Sequence, residues 1–249
     1  MNILIVNDDG IQSEGLQVLA KRLSEEHKVY VLAPDSNRSA VSHHYSVFNS
    51  NTIKKYAENQ WACSGFPADC TNIAITSNLF DIKFDVCISG INDGPNLGTD
   101  IVYSGTCAGA RQAVFDRVPG IALSVDPVDY SKPVKYQAMA DFAAKNLETL
   151  IKLSNVSNPR IFVNVNAASL DSYKGVKFGD ELCVRIYKDK INVIQEDGAL
   201  KSHIVPGHGV DEYSSTCDYS IIRQGYVCVS RIYADPVCTD VLEGLSFKL

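Results

Sequence analysis

The chain has 249 residues, 45% of them hydrophobic and 21% charged, an ordinary globular composition that excludes a disordered polymer. Its 23 basic residues against 29 acidic ones give a net charge of −6, and no Lys/Arg cluster runs along a helix, so long nucleic acid is not an expected partner. No segment approaches the roughly 18 apolar residues of a membrane span, and the start lacks a basic region, so neither a span nor a signal peptide is expected and the chain reads as cytoplasmic.

The first predicted element is the aliphatic run Ile3-Leu4-Ile5-Val6, which reads as a strand buried on both faces of a parallel sheet. It delivers Asn7-Asp8-Asp9-Gly10 to the strand's C-terminal end, the edge where ligands bind in open α/β sheets. A divalent cation would neutralise two carboxylates there, although Asp9-Gly10 is equally a turn signal. Leu16, Leu19, Ala20 and Leu23 then mark a helical face with Ser13 as its N-cap. Val29-Tyr30-Val31-Leu32 is a second strand. Residues 42–60 read as a loop with strands, 84–88 as a core strand, 105–115 as a helix after a glycine-rich loop, and 121–124 as a further strand. A 3.6-residue period over 134–153 predicts a helix, and 161–165 a strand.

Residues 1–166 therefore read as a Rossmann-like, doubly wound α/β core with a mostly parallel sheet. Beyond them the pattern changes. Short strands at 182–187, 190–195 and 225–232, separated by turn residues, read as a β-hairpin-rich appendage over 167–249 within the same structural domain. Such an arm, with the apolar tail over 241–249, predicts a homo-oligomer. The eight cysteines form no Cys-x-x-Cys pair, and several stand in apolar runs, so they read as buried thiols rather than disulfides or zinc ligands.

Three strand ends carry polar loops: Asn7 to Gly10, Pro34 to Ser39, and Ser89 to Asp100 leading to Ser104-Gly105-Thr106. Their Asp carboxylates, Ser hydroxyl and Asn carbonyl are hard oxygen donors, suited to Mg²⁺ or Mn²⁺, with Ca²⁺ also admitted. Gly90, Gly94 and Gly98 let a backbone approach an anion, and Ser104-Gly105-Thr106 opening a helix offers N–H groups and hydroxyls as a phosphate cradle. On this reading Gly105 could be altered while the metal donors stay free to bind.

NDDG, APDSNRSA, SGFPADC and SGINDGPNLGTDIVYSGT occur in the order that resembles the SurE family of metal-dependent survival-protein phosphatases, which act on nucleoside monophosphates. The resemblance covers essentially the whole chain and is strongest over residues 1–125. It implies that Asp8, Asp9, Ser39 and Asn92 hold one divalent metal per subunit, and that Asn96 with Ser104, Gly105 and Thr106 lines the phosphate site. It also implies a β-hairpin arm and a C-terminal segment exchanged within a dimer or tetramer. The chain departs from the family's usual residues at Ser13-Glu14-Gly15, His43-His44, Gln112-Ala113 and Ser230-Arg231, none of them in the metal set.

The expected activity is metal-assisted hydrolysis of a nucleoside monophosphate to nucleoside and phosphate, a 5′/3′-nucleotidase, with Asp8 and Asp9 as catalytic residues. A non-catalytic nucleotide-binding module is the alternative. An aspartyl-phosphate enzyme would want Asp-x-Asp after the first strand, and a receiver domain an Asp ending the third. Asp69 and Asp100 read as structural acids, His43 and His44 as surface or substrate-edge residues. Arg38 reads either as a phosphate ligand or as an ion-pair partner of Asp35.

Overall fold

The computed structural model describes residues 1–205, 207 and 209–238; the apolar tail over 241–249 lies outside the described residues. The first strand, β1 (Asn2–Val6), buries four aliphatics completely. Successive side chains point to opposite faces, so Ile3 and Ile5 join one hydrophobic cluster and Leu4 and Val6 another. Both faces are covered, as expected for an interior strand of a parallel sheet.

The remaining elements are α1 (Glu14–Ser24), β2 (Lys28–Pro34), β3 (Ile53–Ala57), β4 (Gln60–Cys63), α2 (Pro67–Thr76), β5 (Val86–Asp93), α3 (Asp100–Tyr103), α4 (Gly105–Phe115), β6 (Gly120–Asp126), α5 (Gln137–Lys145), α6 (Leu147–Leu153), β7 (Ile161–Ala168), β8 (Val176–Phe178), β9 (Val184–Tyr187), β10 (Lys190–Glu196), β11 (Ala199–Val205), β12 (Gly209–Glu212), α7 (Asp218–Arg223) and β13 (Val227–Tyr233). The central sheet runs β3-β4-β2-β1-β5-β6-β7-β13-β8. Strands β4, β2, β1, β5, β6 and β7 are mutually parallel. From β1 the chain winds one way to β2 and β4, then returns to the other side of β1 for β5, β6 and β7. The order therefore reverses between β1 and β5, and a crevice opens outside their carboxyl ends. That is where Asp8, Asp9 and the β5 loop emerge.

The sequence reading differs from the structure at four places. Helix α2, not predicted, starts at Pro67 with Asp69 accepting the Phe66 N–H at 2.9 Å, a proline-first, acid-capped start. The predicted helix over 134–153 is two helices meeting at Asn146, whose Nδ2 donates to the Phe142 carbonyl at 2.9 Å, a side chain competing with the helical ladder. Ser13 stands at the N-cap of α1 as read, but its side chain makes no cap bond; its hydroxyl instead accepts Asn7 Nδ2 at 2.6 Å. The strand at 225–232 is not in a hairpin: β13 pairs antiparallel with β7 inside the main sheet, where its first four residues are buried. The arm itself is two two-stranded ribbons, β10-β11 and β9-β12.

Candidate active site

Asp8 is 3% exposed. Thr106 holds it from the start of α4, its N–H donating at 3.1 Å and its hydroxyl at 2.5 Å, while the Asp8 carbonyl accepts the Arg38 N–H at 2.6 Å. Burial pushes its pKa up against those hydrogen bonds. Asp9, half-buried, accepts the Asp93 N–H at 3.2 Å. Its pKa is pushed up to about 7, first by burial and then by the charge of Asp8. Neither shift includes a lysine or arginine among its causes, so two carboxylates share low-dielectric space with no cation beside them among the described residues. The turn reading of Asp9-Gly10 also holds: Asn7 Nδ2 donates to the Gly10 carbonyl at 3.0 Å, and Gly10 has φ +101°.

The β5 loop supplies the next groups. Its pairing with β6 shifts register between Ser89 and Asn92. Gly90 permits this, with φ +136° and a position where a Cβ would stand 2.3 Å from the Leu123 carbonyl oxygen. Asn92 Nδ2 donates to the Gly94 carbonyl at 2.8 Å, which turns the amide oxygen outward as an acceptor. Asn96 is 7% exposed and tightly bound. Its Nδ2 donates to Ser124 Oγ at 2.8 Å, its N–H to Asn166 Oδ1 at 2.8 Å, and its carbonyl accepts Asn164 Nδ2 at 2.8 Å. The Ser104 hydroxyl accepts the Cys107 N–H at 2.9 Å and caps α4.

Asp8, Ser39, Asn92, Asn96 and Ser104 all line one cavity of about 720 Å³. Gly105 and Thr106 lie behind it. Thr106 is fully buried on Asp8, and a Cβ on Gly105 would approach the Asp8 Cβ to 2.8 Å and Oδ2 to 2.9 Å. The helix start thus backs the carboxylate directly, and the expected separation of cradle from metal donors does not hold.

A hard cation fits this donor set: two carboxylates that burial and mutual repulsion make costly to ionise, plus neutral oxygens on Ser39 and Asn92. Among the described residues no group of three or more His, Cys, Asp or Glu could hold a metal. Asp69 and Asp100, read from the sequence as structural acids, both hold protein groups, and Asp100 also lines the cavity. Asp69 accepts the Ser46 N–H and hydroxyl at 2.8 and 2.9 Å, and Asp100 pairs with Arg185 at 2.8 Å. Arg38 Nη2 lies 3.3 Å from Asp35 and also donates to the Ser64 carbonyl at 3.0 Å.

Residues 3–188 match the family model described as survival protein SurE. The chain belongs to the SurE family. A 5′-nucleotidase SurE of Treponema pallidum is 44% identical over 177 residues, covering 70% of this chain and 93% of that protein. A 5′-nucleotidase SurE of Kosmotoga olearia is 34% identical over 239 residues, covering 94% and 92%. The crystal structure of SurE protein from Aquifex aeolicus superposes with a TM-score of 0.78 at 28% identity, covering 95% of both chains. Against the usual SurE pattern, two of the departures touch each other: His43 Nε2 lies 2.9 Å from Gln112 Oε1. The Gln112 amide in turn donates to both oxygens of Asp116, at 3.1 and 3.0 Å.

Sequence reasoning passed over Ser124, Asn164 and Asn166, which position Asn96. The signal was present: Asn164 and Asn166 alternate with valines in the otherwise apolar β7, and polar residues on one face of a fully buried strand need partners. It also passed over Arg185, Tyr187 and Asp218, which sit far along the chain and meet the β5 loop only through the fold.

Proposed function

We propose that the chain is a divalent-metal-dependent 5′-nucleotidase, hydrolysing a nucleoside monophosphate to nucleoside and phosphate. The observation that carries this reading is the single cavity at the sheet's switch point, joining Asp8, Ser39 and Asn92 as hard donors to Asn96 and Ser104. The 5′-nucleotidase relatives support the catalytic alternative over a binding module. In this reading Asp8, Asp9, Ser39 and Asn92 hold one Mg²⁺ or Mn²⁺, with Ca²⁺ also accommodated. Asn96 and Ser104 line the phosphate side, with Gly105 and Thr106 behind them backing Asp8.

A bound cation supplies Lewis-acid polarisation of the phosphoryl group and acidifies water. The protein does the rest. Asp8, with Thr106 fastened to it, is the fixed donor; Asp9 Oδ2 is held by the Asp93 N–H, leaving Oδ1 to orient the attacking water and take its proton. The water oxygen bonds to phosphorus as the ester P–O bond breaks, and the departing nucleoside oxygen takes a proton from solvent. Asn96 Nδ2 is committed to Ser124, and the Gly94 and Ser104 N–H groups are committed to the Val125 and Asp100 carbonyls, so these groups fix the loop. The Ser104 hydroxyl, which accepts the Cys107 N–H, keeps its proton to donate to an equatorial oxygen, where charge stabilisation has most effect.

Residues 1–166, completed by β8 and β13 in the same sheet, act as the catalytic core, rather than 1–166 alone, and the ribbons β9-β12 and β10-β11 act as the arm and association segment of a homo-oligomer, a dimer or tetramer. Ribbon β10-β11 supports this, since Ile191, Val193, Leu200 and Ile204 fall on one face by register and are 61–75% exposed. Eight free cysteines, seven of them buried, support a cytoplasmic setting. No described helix is long and apolar enough to cross a membrane. The test is phosphate release from a panel of nucleoside monophosphates by wild type and Asp8→Asn. Turnover by wild type and a loss of at least about 100-fold in the variant are expected; saturable nucleotide binding without turnover would favour the binding module.

A further inference from the structure

The cavity extends well beyond the phosphate side, and its far wall is built by the root of the arm. Strand β9 lies against the start of α3 through a set of short contacts. Thr99 Oγ1 donates to the Arg185 carbonyl at 2.7 Å and accepts the Arg185 N–H at 2.8 Å. The Arg185 guanidinium pairs with Asp100 at 2.8 Å, and the Tyr187 hydroxyl donates to the other oxygen of Asp100, also at 2.8 Å. Just behind, buried Asp218 accepts both the Gly98 and the Cys183 N–H at 2.8 Å. These bonds fix β9 to the β5 loop and give the wall one geometry.

What the wall presents is aromatic. The side chains of Arg185 and Asp100 are only 17% and 14% exposed, whereas Tyr187 is 47% and Tyr103 59% exposed, and both tyrosines line the cavity. The Arg185 guanidinium stands 5.9 Å from the Tyr187 ring centroid. Asp100, which holds the Tyr187 hydroxyl, and Ser104, on the phosphate side, bracket the four-residue helix α3, a separation of about 6 Å along its axis. An exposed ring with its hydroxyl pinned to Asp100, about one helical turn along the backbone from Ser104, therefore lines the same cavity as the phosphate side.

The geometry points to Tyr187, held by Asp100 and flanked by Tyr103, as the stacking platform for the nucleobase, so that the root of the arm sets the preference for nucleotides over other phosphomonoesters. This rests on the nucleotidase reading of the site. A ring already fixed by its hydroxyl loses little freedom when a base lies on it. Stacking uses the face that every base has, so it tolerates all bases and favours the larger purines.

The experiment compares kcat/KM for AMP with that for ribose 5-phosphate, in the metal-loaded full chain, for wild type, Tyr187→Ala, Tyr187→Phe and Tyr103→Ala. The AMP-to-ribose 5-phosphate ratio should fall about 5- to 100-fold in Tyr187→Ala, the usual range for loss of a base–aromatic stack, mainly through KM, and much less in Tyr187→Phe. Tyr103→Ala, on a different element, should lower the ratio by a smaller factor, and adenosine should inhibit ribose 5-phosphate hydrolysis by wild type. A ratio unchanged in both alanine variants, including through equal losses on the two substrates, overturns the stacking role and makes the wall an anchor for the arm. Wild type that releases phosphate from neither substrate overturns the nucleotidase reading itself, a result distinct from unchanged ratios in an active enzyme.

Discussion

Replacing Asp9 by asparagine should abolish turnover and yet stabilise the metal-free protein. The Asp9 carboxyl is lifted from an ordinary 3.8 to about 7 by burial and by Asp8. The folded chain therefore binds more protons than the unfolded chain between about pH 4 and pH 7, and its stability falls as pH rises through that window. At 1.36 kcal/mol per pH unit the full shift corresponds to at most about 4 kcal/mol; partial exposure and screening reduce this to roughly 1–2 kcal/mol. For a chain of this size that is about 2–8 °C in melting temperature. Asp9→Asn removes the charge while its amide oxygen can still accept the Asp93 N–H. In EDTA at pH 8 the variant should melt higher than wild type by that amount, with a shallower fall in stability from pH 5 to pH 8; Asp8, also raised by burial, retains the remaining slope. With Mn²⁺ the wild type should gain stability and the variant much less. A metal-free Asp9→Asn protein that melts at or below wild type at pH 8 would refute the account of two uncompensated carboxylates.

Thr106→Val keeps the side-chain shape but removes the hydroxyl that donates to Asp8; Mn²⁺ affinity by calorimetric titration should fall about 10- to 100-fold, as for other groups that orient a ligand, and unchanged affinity would leave Thr106 without that role. Gly105→Val places atoms against Asp8, so metal binding and phosphate release should be lost together; retention of metal binding with loss of turnover would show that the helix start serves phosphate alone. The double variant Ile191→Glu/Ile204→Glu charges a cross-strand pair on the apolar face of β10-β11, and light scattering should show a smaller species than wild type, whereas a wild-type chain that is already monomeric at micromolar concentration removes the association role of the arm.

Much of this architecture was legible because its signals are local. The unbroken aliphatics of β1 announced a strand buried on both faces, and the Leu16–Leu23 stripe announced the face of α1. The convergence of Asp8, Ser39 and Asn92, the proposed donors, was legible as oxygen-bearing loops at three strand ends that a doubly wound sheet brings to one edge. Contacts between distant segments were not. Thr106 reads as a phosphate group from its place at a helix start, yet its hydroxyl is committed to Asp8, 98 positions away. The antiparallel return of β13 beside β7 was hidden by the turns around it, although its buried Val227-Cys228-Val229 core is the kind of run that marks an interior strand. Asn146 broke a helix whose apolar period continued through it, because periodicity reports which face is buried and not whether the backbone ladder is unbroken.

In the proposed mechanism phosphate release depends on a cation held by Asp8 and Asp9. Its most direct test is the initial rate of phosphate release from AMP by protein stripped with EDTA, then titrated with Mn²⁺, with Asp8→Asn measured alongside. Release should be negligible after stripping, recover to saturation at about one ion per subunit, and fail to recover in Asp8→Asn at the same concentrations. Full activity in the stripped enzyme, or equal recovery in Asp8→Asn, would contradict the mechanism.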